Sequence, residues 1–306
     1  MIGFIVRRIV LTVPVLVGVA TLVFALIHLV PGDPAAAMLG ESASPADLDD
    51  LRERLGLHRP LLVQYGEFVS GLVVGDLGTS FRYGTPVARE IGQRLGATAE
   101  LALVSIVVAI VIAVPLGIVG ALYRGRAIDQ VAMTVSLAGI AMPNFWLGPL
   151  LAIVFSIQLG WLPVSGTGSW RHLVLPAVTL GAALAALTAR MTRASLIDEL
   201  GELYVLAARA RGLSRLSAVV RHALRNSLIP VVTIVGLQLG SVLTGTIITE
   251  TIFSWPGVGR LLIQAISFRD YPLVQGCILL IAVTYVAMNL LVDVVYAWLD
   301  PRIRYQ

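Results

Sequence analysis

The residue types that most often carry catalysis or bind metals are few in this chain, and they are far apart. The 306 residues include four histidines and one cysteine. Their spacing matches neither the paired histidines of a zinc-binding helix nor the cysteine pair of a redox motif. The topology predicted from hydropathy also puts the histidines on both sides of a membrane. The sequence therefore predicts no catalytic residue and no metal site.

The basic residues exclude one further class of chemistry. All 22 are arginines, and lysine does not occur. A P-loop needs a lysine that reaches the nucleotide phosphates, so this chain is not expected to hydrolyse ATP by that route. The arginines flank apolar runs, which favours a membrane surface over nucleic acid as the reason for the positive charge.

The most informative polar segment is YVLAARARGLSRL, residues 204–216. Its alanines favour a helix, which we expect to begin near Glu199 and Glu202 and to end at Gly212. Ser214 can then cap a second helix. The pattern predicts a turn between two short helices, shaped to dock a protein partner. The alternative is a basic helix that lies on anionic lipid.

The elements that must position this segment are membrane helices. The chain is 57% hydrophobic and 13% charged, with a mean hydropathy of +0.88, whereas soluble domains are about 25% charged. A helix needs about 20 apolar residues to cross a bilayer. Six segments approach or exceed that length, and we expect Pro143 to bend or end a helix in the third. They are Ile9–Val30, Leu101–Tyr123, Gln130–Gly160, Leu173–Ala189, Asn226–Thr249 and Tyr271–Val292.

The distribution of arginines predicts the orientation of these spans. Six spans place thirteen of the 22 arginines on one side, including Arg302 and Arg304 at the C-terminus. Short loops rich in arginine remain in the cytoplasm. We therefore expect a plasma-membrane protein with both termini in the cytoplasm.

One sizeable polar region, residues 31–98, is expected on the outer side. PGDP at residues 31–34 should end the first helix. Ser44 can cap a short helix that Gly56 ends, and a second amphipathic helix follows. These features predict two parts. Residues 1–98 form the first span with an extracytoplasmic helical region, and residues 99–306 form a five-helix core whose cytoplasmic loop covers about 191–228.

A second outer segment, ETIFSWPGVGRLL, follows the fifth predicted span at residues 250–262. Pro256 and the two glycines after it disfavour a helix. Phe253 and Trp255 are expected at the membrane interface, where aromatic side chains concentrate. The segment is either a re-entrant or surface element near an outer mouth, or an aromatic anchor alone.

Several motifs together resemble one family. YVLAARARGLSRLSAVVRHALRNSLIPVVT resembles the cytoplasmic loop of ABC importer permeases, with the Ala207–Ala208 pair four residues before Gly212. Its HALRN and IP tail is similar to the branch that serves peptides, glutathione and nickel. Leu206 departs from the pattern, since many permeases have glutamate there and this branch tends to have arginine. Other matching pieces in family order are HLVPGDP, LGLHRPLLVQY, GDLGTSF, MPNFWLG, GWLPVSG, ETIFSWPGVGRLL, RDYPLVQ and DPRIRY.

The resemblance implies an all-α integral membrane protein with six transmembrane helices and a cytoplasmic coupling-helix loop, the type I ABC importer permease fold with a MetI-like core. It implies a sister permease, two ATPase subunits that use ATP-Mg, an extracytoplasmic binding protein and no cofactor in this chain. It implies di- or oligopeptides as substrates; the alternatives are nickel or glutathione and, from another class, an ion-coupled carrier. The implied ATPase-coupling interface comprises Tyr204, Ala207, Ala208, Arg209, Ala210, Arg211, Gly212, Leu213, His222, Arg225 and Asn226.

Overall fold

The computed structural model describes residues 2–29, 35–36, 44–54, 56 and 58–299. Within them the backbone is helical almost throughout, and the β-structure is a single bridge between Thr79 and Pro86. Helices are expected in lipid because they satisfy every backbone hydrogen bond internally. The predicted PGDP helix end, at residues 31–34, and the C-terminal arginines lie outside the described residues.

The chain divides into two compact units. The first contains residues up to Ala97 together with Pro256–Ala287, and the second contains Thr98–Trp255 with the residues after Ala287. Two long helices, α4 (Val87–Leu122) and α12 (Tyr271–Leu299), contribute to both units. Elements of the first unit are α1 (Ile2–Leu29), α2 (Pro45–Arg54), α3 (Leu61–Val74), the start of α4 (Val87–Leu122), α11 (Val258–Ser267) and the start of α12 (Tyr271–Leu299).

Polar side chains fix the ends of the helices in the first unit. Ser44 caps α2, since its hydroxyl accepts a hydrogen bond from the Asp47 N–H at 3.2 Å. Asp270 is buried before α12 and accepts hydrogen bonds from the Ser80 hydroxyl at 2.5 Å and the Arg82 N–H at 3.2 Å. The same carboxylate therefore holds the loop before α4 against the start of α12. Gln275 then joins α12 to α1 by donating to the Val23 carbonyl at 3.0 Å.

The second unit is built around α7 (Trp170–Leu200), which packs chiefly against α10 (Leu224–Ile252) and α5 (Ala127–Ala141). The π-helical turn Val219–Ala223 joins α9 (Arg215–Ala218) directly to α10, so these three segments continue one another. The remaining elements are the end of α4, α5 (Ala127–Ala141), α6 (Asn144–Leu151) with the π-helical turn Ala152–Gln158, α8 (Leu203–Ala210), α9 (Arg215–Ala218), α10 (Leu224–Ile252) and the end of α12.

Glycines let the helices around α7 approach closely. A Cβ placed on Gly139 of α5 would lie 2.4 Å from the Ala182 carbonyl oxygen, and one on Gly117 of α4 would lie 2.5 Å from Thr192 Cβ. Small residues are typical of helix contacts in membranes, where close backbone approach supplies the packing energy. These contacts fix α4 and α5 on α7.

An ion pair adds a polar link between α5 and α7. The Arg193 guanidinium donates two hydrogen bonds of 2.6 Å to the Asp129 carboxylate. Asp129 is buried and also accepts the Gly125 N–H at 2.9 Å. A two-point arginine–carboxylate contact fixes orientation as well as distance, so it sets how α5 begins relative to α7.

Four helical stretches in the described part of the chain are long and apolar enough to cross a membrane. They are Val87–Leu122, Trp170–Leu200, Val219–Gly240 and Tyr271–Val292. The pair α5 and α6 with its π-turn becomes a fifth span if the two halves are counted together. Their axes differ by 107° at a break that contains Pro143, as the sequence predicted. Three shorter apolar stretches lie in the described part of the chain, Val10–Ala25 of α1, Leu61–Val74 and Val258–Ser267, so a sixth span stays a prediction.

Phe253 and Trp255 are not the exposed side chains that an interfacial anchor requires, and the depth of their segment in a membrane stays a prediction. Both side chains are buried. Phe253 packs against Ala152 and Leu175, and its carbonyl accepts a hydrogen bond from the Gly166 N–H at 2.9 Å. The π-helical turn and α7 form a cavity for the ring, so burial in protein replaces exposure to the lipid headgroups.

Packing at Gly139 generates a stability test. Gly139→Ala should lower the melting temperature of the purified protein by several degrees, since overpacking costs about 1–3 kcal/mol. Gly96→Ala is the matched control because a Cβ at Gly96 meets nothing within 4 Å, and alanine improves helix propensity by up to about 1 kcal/mol. Equal melting temperatures for the two variants in the same detergent would contradict the close contact.

Candidate functional site

The polar segment singled out in the sequence forms one short helix between two long ones. The preceding helix, α7, continues to Leu200, so Glu199 lies in its last turn. The helix predicted to begin near Glu199 begins at Leu203, with Glu202 at the N-cap. No glycine or proline interrupts residues 213–229, so α9 continues into α10. The connection between the long helices therefore spans residues 201–214.

The inner side of α8 is anchored in a hydrophobic cluster. Val205 is fully buried and packs with Ala121 of α4, Leu196 of α7 and Val219 of the π-turn. Ala208, one turn later, is also buried. Complete burial of a valine side chain contributes about 1.5–3 kcal/mol. This cluster holds α8 against the ends of three long helical segments.

The outer side of α8 carries an exposed apolar stripe, comprising Leu203, Leu206, Ala207 and Ala210. These positions follow the i, i+3, i+4, i+7 spacing of one helix face. Leu203 is 81% exposed and Leu206 is 46% exposed. Exposed leucines on a helix anchored from behind are typical of a surface that docks into a groove.

Tyr204 links α8 to both neighbouring helices. Its hydroxyl donates to the Glu199 carboxylate in the last turn of α7. The same oxygen accepts a hydrogen bond of 3.0 Å from the Asn226 side-chain amide in the first turn of α10. Desolvation and, next, the hydrogen bond to Glu199 raise the pKa of Tyr204 above its ordinary value of 10.0. The phenol therefore stays protonated at neutral pH and keeps its donor.

The end of α8 is a tight turn at Gly212. Gly212 has φ +91°, a left-handed conformation that suits glycine. Its N–H donates to the Arg209 carbonyl at 3.0 Å, and the Leu213 N–H donates to the Ala208 carbonyl at 3.4 Å. The predicted cap of the next helix is confirmed, since the Ser214 hydroxyl accepts the Ser217 N–H at 3.3 Å.

The residues proposed from the sequence occupy different surroundings in the structure. Tyr204 and Asn226 meet directly, whereas Ala207 and Ala210 lie on the exposed stripe and Ala208 lies on the buried side. Leu213 is half-buried at the turn. Others flank the stripe or lie on the adjoining helix: exposed Arg209 and Arg211, half-buried His222 in the π-turn and exposed Arg225 in α10.

Sequence reasoning missed three members of the site. Glu199 was assigned to the start of the short helix, but it is the acceptor for Tyr204. Leu203 and Val205 were not proposed at all. The spacing of Leu203, Leu206, Ala207 and Ala210 could have revealed the stripe. The burial of Val205 depends on neighbours distant in sequence, so no local signal could have found it.

The described residues offer little other chemistry. No three histidine, cysteine, aspartate or glutamate side chains among them cluster as metal ligands would. Glu250 is fully buried near the end of α10 and accepts a hydrogen bond of 2.7 Å from the Thr98 hydroxyl of α4. This contact joins two helices of the second unit, and it lies in neither the stripe nor the turn at Gly212.

Two known transport permeases match this chain over its whole length. The chain is 45% identical to a glutathione transport system permease protein of Escherichia coli and 43% identical to a dipeptide transport system permease protein of Alkalihalophilus pseudofirmus, and each match covers 100% of both chains. A solved structure titled as an amino acid ABC transporter with histidines matches with a TM-score of 0.51 at 16% identity, covering 70% of this chain and 94% of that one. That likeness supports the fold.

Two family profiles cover nearly the entire sequence. The profile described as the inner membrane component of binding-protein-dependent transport systems matches residues 113–305. The profile of the N-terminal part of the same membrane component matches residues 1–102. Together with the full-length relatives, they show that this chain belongs to the family of inner membrane components of binding-protein-dependent transport systems.

Proposed function

We propose that this chain is the permease subunit of an ATP-driven peptide importer, paired with a sister permease to form the pathway. Two ATPase subunits carrying ATP-Mg would bind the cytoplasmic loops of the two permeases, one of them at α8 of this chain, and a binding protein would deliver substrate on the opposite side. The observation that carries the proposal is the exposed apolar stripe on a helix anchored to three long helices. On this proposal α8 and both termini are cytoplasmic.

The anchoring of α8 suits the transmission of force. A partner that grips the stripe would move α8 as a unit, because Val205 is packed into the hydrophobic cluster behind it. Tyr204 would carry the displacement to α7 through Glu199 and to α10 through Asn226. Rigid movement of long helices can then open one side of a pathway while closing the other. Alternating access needs this kind of coupling.

The names of the relatives favour peptides as the substrate class. One relative is named for glutathione and another for dipeptides, and glutathione is itself a small peptide. The two substrates share peptide bonds and a free carboxylate, so one pathway chemistry suits both. Nickel and an ion-coupled carrier are the alternatives that transport measurements must exclude.

The overall test is uptake into proteoliposomes. The permease, reconstituted with its sister permease, its ATPases and its binding protein, should take up a labelled dipeptide or glutathione only with ATP inside. The purified chain alone should show no ATPase activity. Uptake by this chain alone, driven by an ion gradient, would contradict the proposal, and uptake of nickel without peptide would overturn the substrate class.

A substitution at Gly212 tests the turn. Gly212→Val should lower ATP-dependent uptake several-fold while membrane insertion stays normal, because a β-branched residue at φ +91° costs at least about 1–2 kcal/mol. Gly212→Asn is the control, since asparagine tolerates this conformation. A Cβ there meets nothing within 4 Å, so steric clash is not involved. Normal uptake by the valine variant would show that the turn has no role.

A charge on the stripe tests the docking surface. Leu206→Asp should weaken binding of the ATPase subunits at least tenfold, because an unpaired carboxylate in an apolar groove costs several kcal/mol. The isolated permease should keep its melting temperature, since Leu206 is exposed. Leu62→Asp, on an exposed leucine of α3, is the control that should leave ATPase binding unchanged. Equal affinities for both variants would place the docking surface elsewhere.

Removal of one hydroxyl tests the link to the long helices. Tyr204→Phe loses the hydrogen bonds to Glu199 and Asn226 but keeps the ring. ATPase binding should persist, whereas the amount of peptide imported per ATP hydrolysed should fall at least twofold. Tyr123→Phe, a half-exposed tyrosine after α4, serves as the control. An unchanged ratio in the Tyr204 variant would limit Tyr204 to a structural role.

A further inference from the structure

The π-helical turn Ala152–Gln158 continues α6 and departs from the α-helical hydrogen-bond pattern that precedes it. At its end the Leu159 N–H donates to the Val154 carbonyl, five residues earlier, at 3.1 Å. Single π-helical turns inside α-helices are rare, and they occur frequently at functional sites. This turn is part of neither the apolar stripe on α8 nor the turn at Gly212.

One serine in the π-helical turn has an unsatisfied hydroxyl. The Ser156 Oγ atom is enclosed by protein and has no hydrogen-bond partner in the described part of the chain. In contrast, the buried hydroxyls of Ser105, Thr179 and Thr192 each donate to the carbonyl four residues earlier, at 2.7 to 2.8 Å. A buried hydroxyl without a partner is destabilising. The π-helical form of this segment is therefore destabilised at Ser156.

An α-helical form of the same segment would give Ser156 an acceptor. In an α-helix a serine hydroxyl can donate to the carbonyl four residues earlier, and for Ser156 that is the Ala152 carbonyl. The hydroxyl thus favours the α-helical form, so packing must be what favours the π-helical one. A segment whose hydrogen bonding and packing favour different arrangements can adopt two discrete states.

The packing that favours the π-helical form centres on Phe253. Its ring packs against Ala152 at the start of the turn, and a Cβ on Gly148 of α6 would lie 3.2 Å from its Cε2 atom. Leu162, after the turn, packs against the same cluster. Phe253 is the C-cap of α10, so its position depends on that helix. A displacement of α10 would change the contacts that hold the turn.

The chain after the turn can accommodate a change of helical form. Conversion to an α-helix rotates the following residues by about 100° and moves them by about 1.5 Å, the step of one residue. Gly160 lies two residues after the turn with φ +65°, and glycine changes its backbone conformation at little steric cost. The Trp161 N–H donates to the Phe155 carbonyl at 2.9 Å. Trp161 therefore moves whenever the turn changes form.

We propose that Ala152–Gln158 is a two-state switch. It is π-helical while the contacts of Phe253 hold it, and α-helical, with Ser156 bonded to the Ala152 carbonyl, once α10 has moved. The existence of the two states does not rest on transport, whereas their control by α10 rests on the proposed function. Because α6 packs on α10, the switch lets the bent pair of α5 and α6 follow a movement of α10.

The first test is the melting temperature of the purified full chain. Ser156→Ala should raise it by at least about 2 °C, because the change removes an unsatisfied hydroxyl from the π-helical form. Ser105→Ala is the matched control, since this serine is also buried but its hydroxyl is bonded. The control should melt at the wild-type temperature or below it. A melting temperature of Ser156→Ala no higher than that of the wild type would overturn the proposal.

The second test is fluorine NMR of the full chain labelled with fluorotryptophan. The Trp161 signal, assigned by its loss in Trp161→Phe, should exchange between two positions in the wild type. Ser156→Ala should abolish the second position. Deletion of Ile157, whose side chain is exposed, shortens the turn by one residue and should abolish the first. Deletion of Val154 replaces it should that variant fail to elute as a folded monomer. A wild-type Trp161 signal without exchange would overturn the switch.

The control by α10 is tested in the complete transporter, in which this chain is reconstituted with its sister permease, ATPases and binding protein. Trapping with ATP and vanadate should increase the population of the second Trp161 position. An unchanged population, in a preparation that imports peptide with ATP, would overturn the control by α10. Absence of ATP-dependent import would contradict the proposed function alone, because the measurements on the purified chain decide whether the two states exist.

Discussion

The close approach of α4 and α5 to α7 is the contact on which the second unit depends. At Gly139 the two backbones are so close that a single methyl group would lie 2.4 Å from a carbonyl oxygen. In a membrane there is no water to drive apolar surfaces together, so close van der Waals packing must supply much of the stabilisation. The Asp129–Arg193 pair then fixes how α5 begins relative to α7. With that geometry set, the ends of α4 and α7 can form one cluster around Val205 with α9 and the π-helical turn.

That cluster explains why a helix of eight residues can be a functional element. An isolated helix of this length is unstable in water. Here α8 is held by the burial of Val205 and Ala208, by the Tyr204 hydroxyl and by the turn at Gly212. The energy that orders α8 therefore comes from the long helices, and a force applied to α8 must act on them. On the proposed function, the contacts that pack α8 against the long helices would also be the contacts that transmit force to them.

The departure at Leu206 acquires a physical meaning from this arrangement. The family resemblance predicts a charge at this position, but Leu206 lies between Leu203 and Ala210 on an exposed apolar stripe. A partner that accepts a charged side chain there would leave its own polar groups unpaired against leucine. On the proposed function, the ATPase that binds α8 would therefore present an apolar groove. Such a difference would give specificity between otherwise similar permeases.

Several features of this protein follow from the sequence by itself. Hydropathy predicted a helical membrane protein, and Pro143 predicted the break in the third apolar segment. The family motifs predicted the position of the short helix. Each of these three features depends on residues that are neighbours in the sequence. The six-span count stays a prediction, since the described helices show four spans, or five if the bent pair is counted as one. Tertiary structure alone decided that Phe253 and Trp255 are buried, that Glu199 and Asn226 share Tyr204, and that Val205 faces inward. Each of these depends on which distant helix lies opposite, and that follows from three-dimensional packing rather than from local spacing.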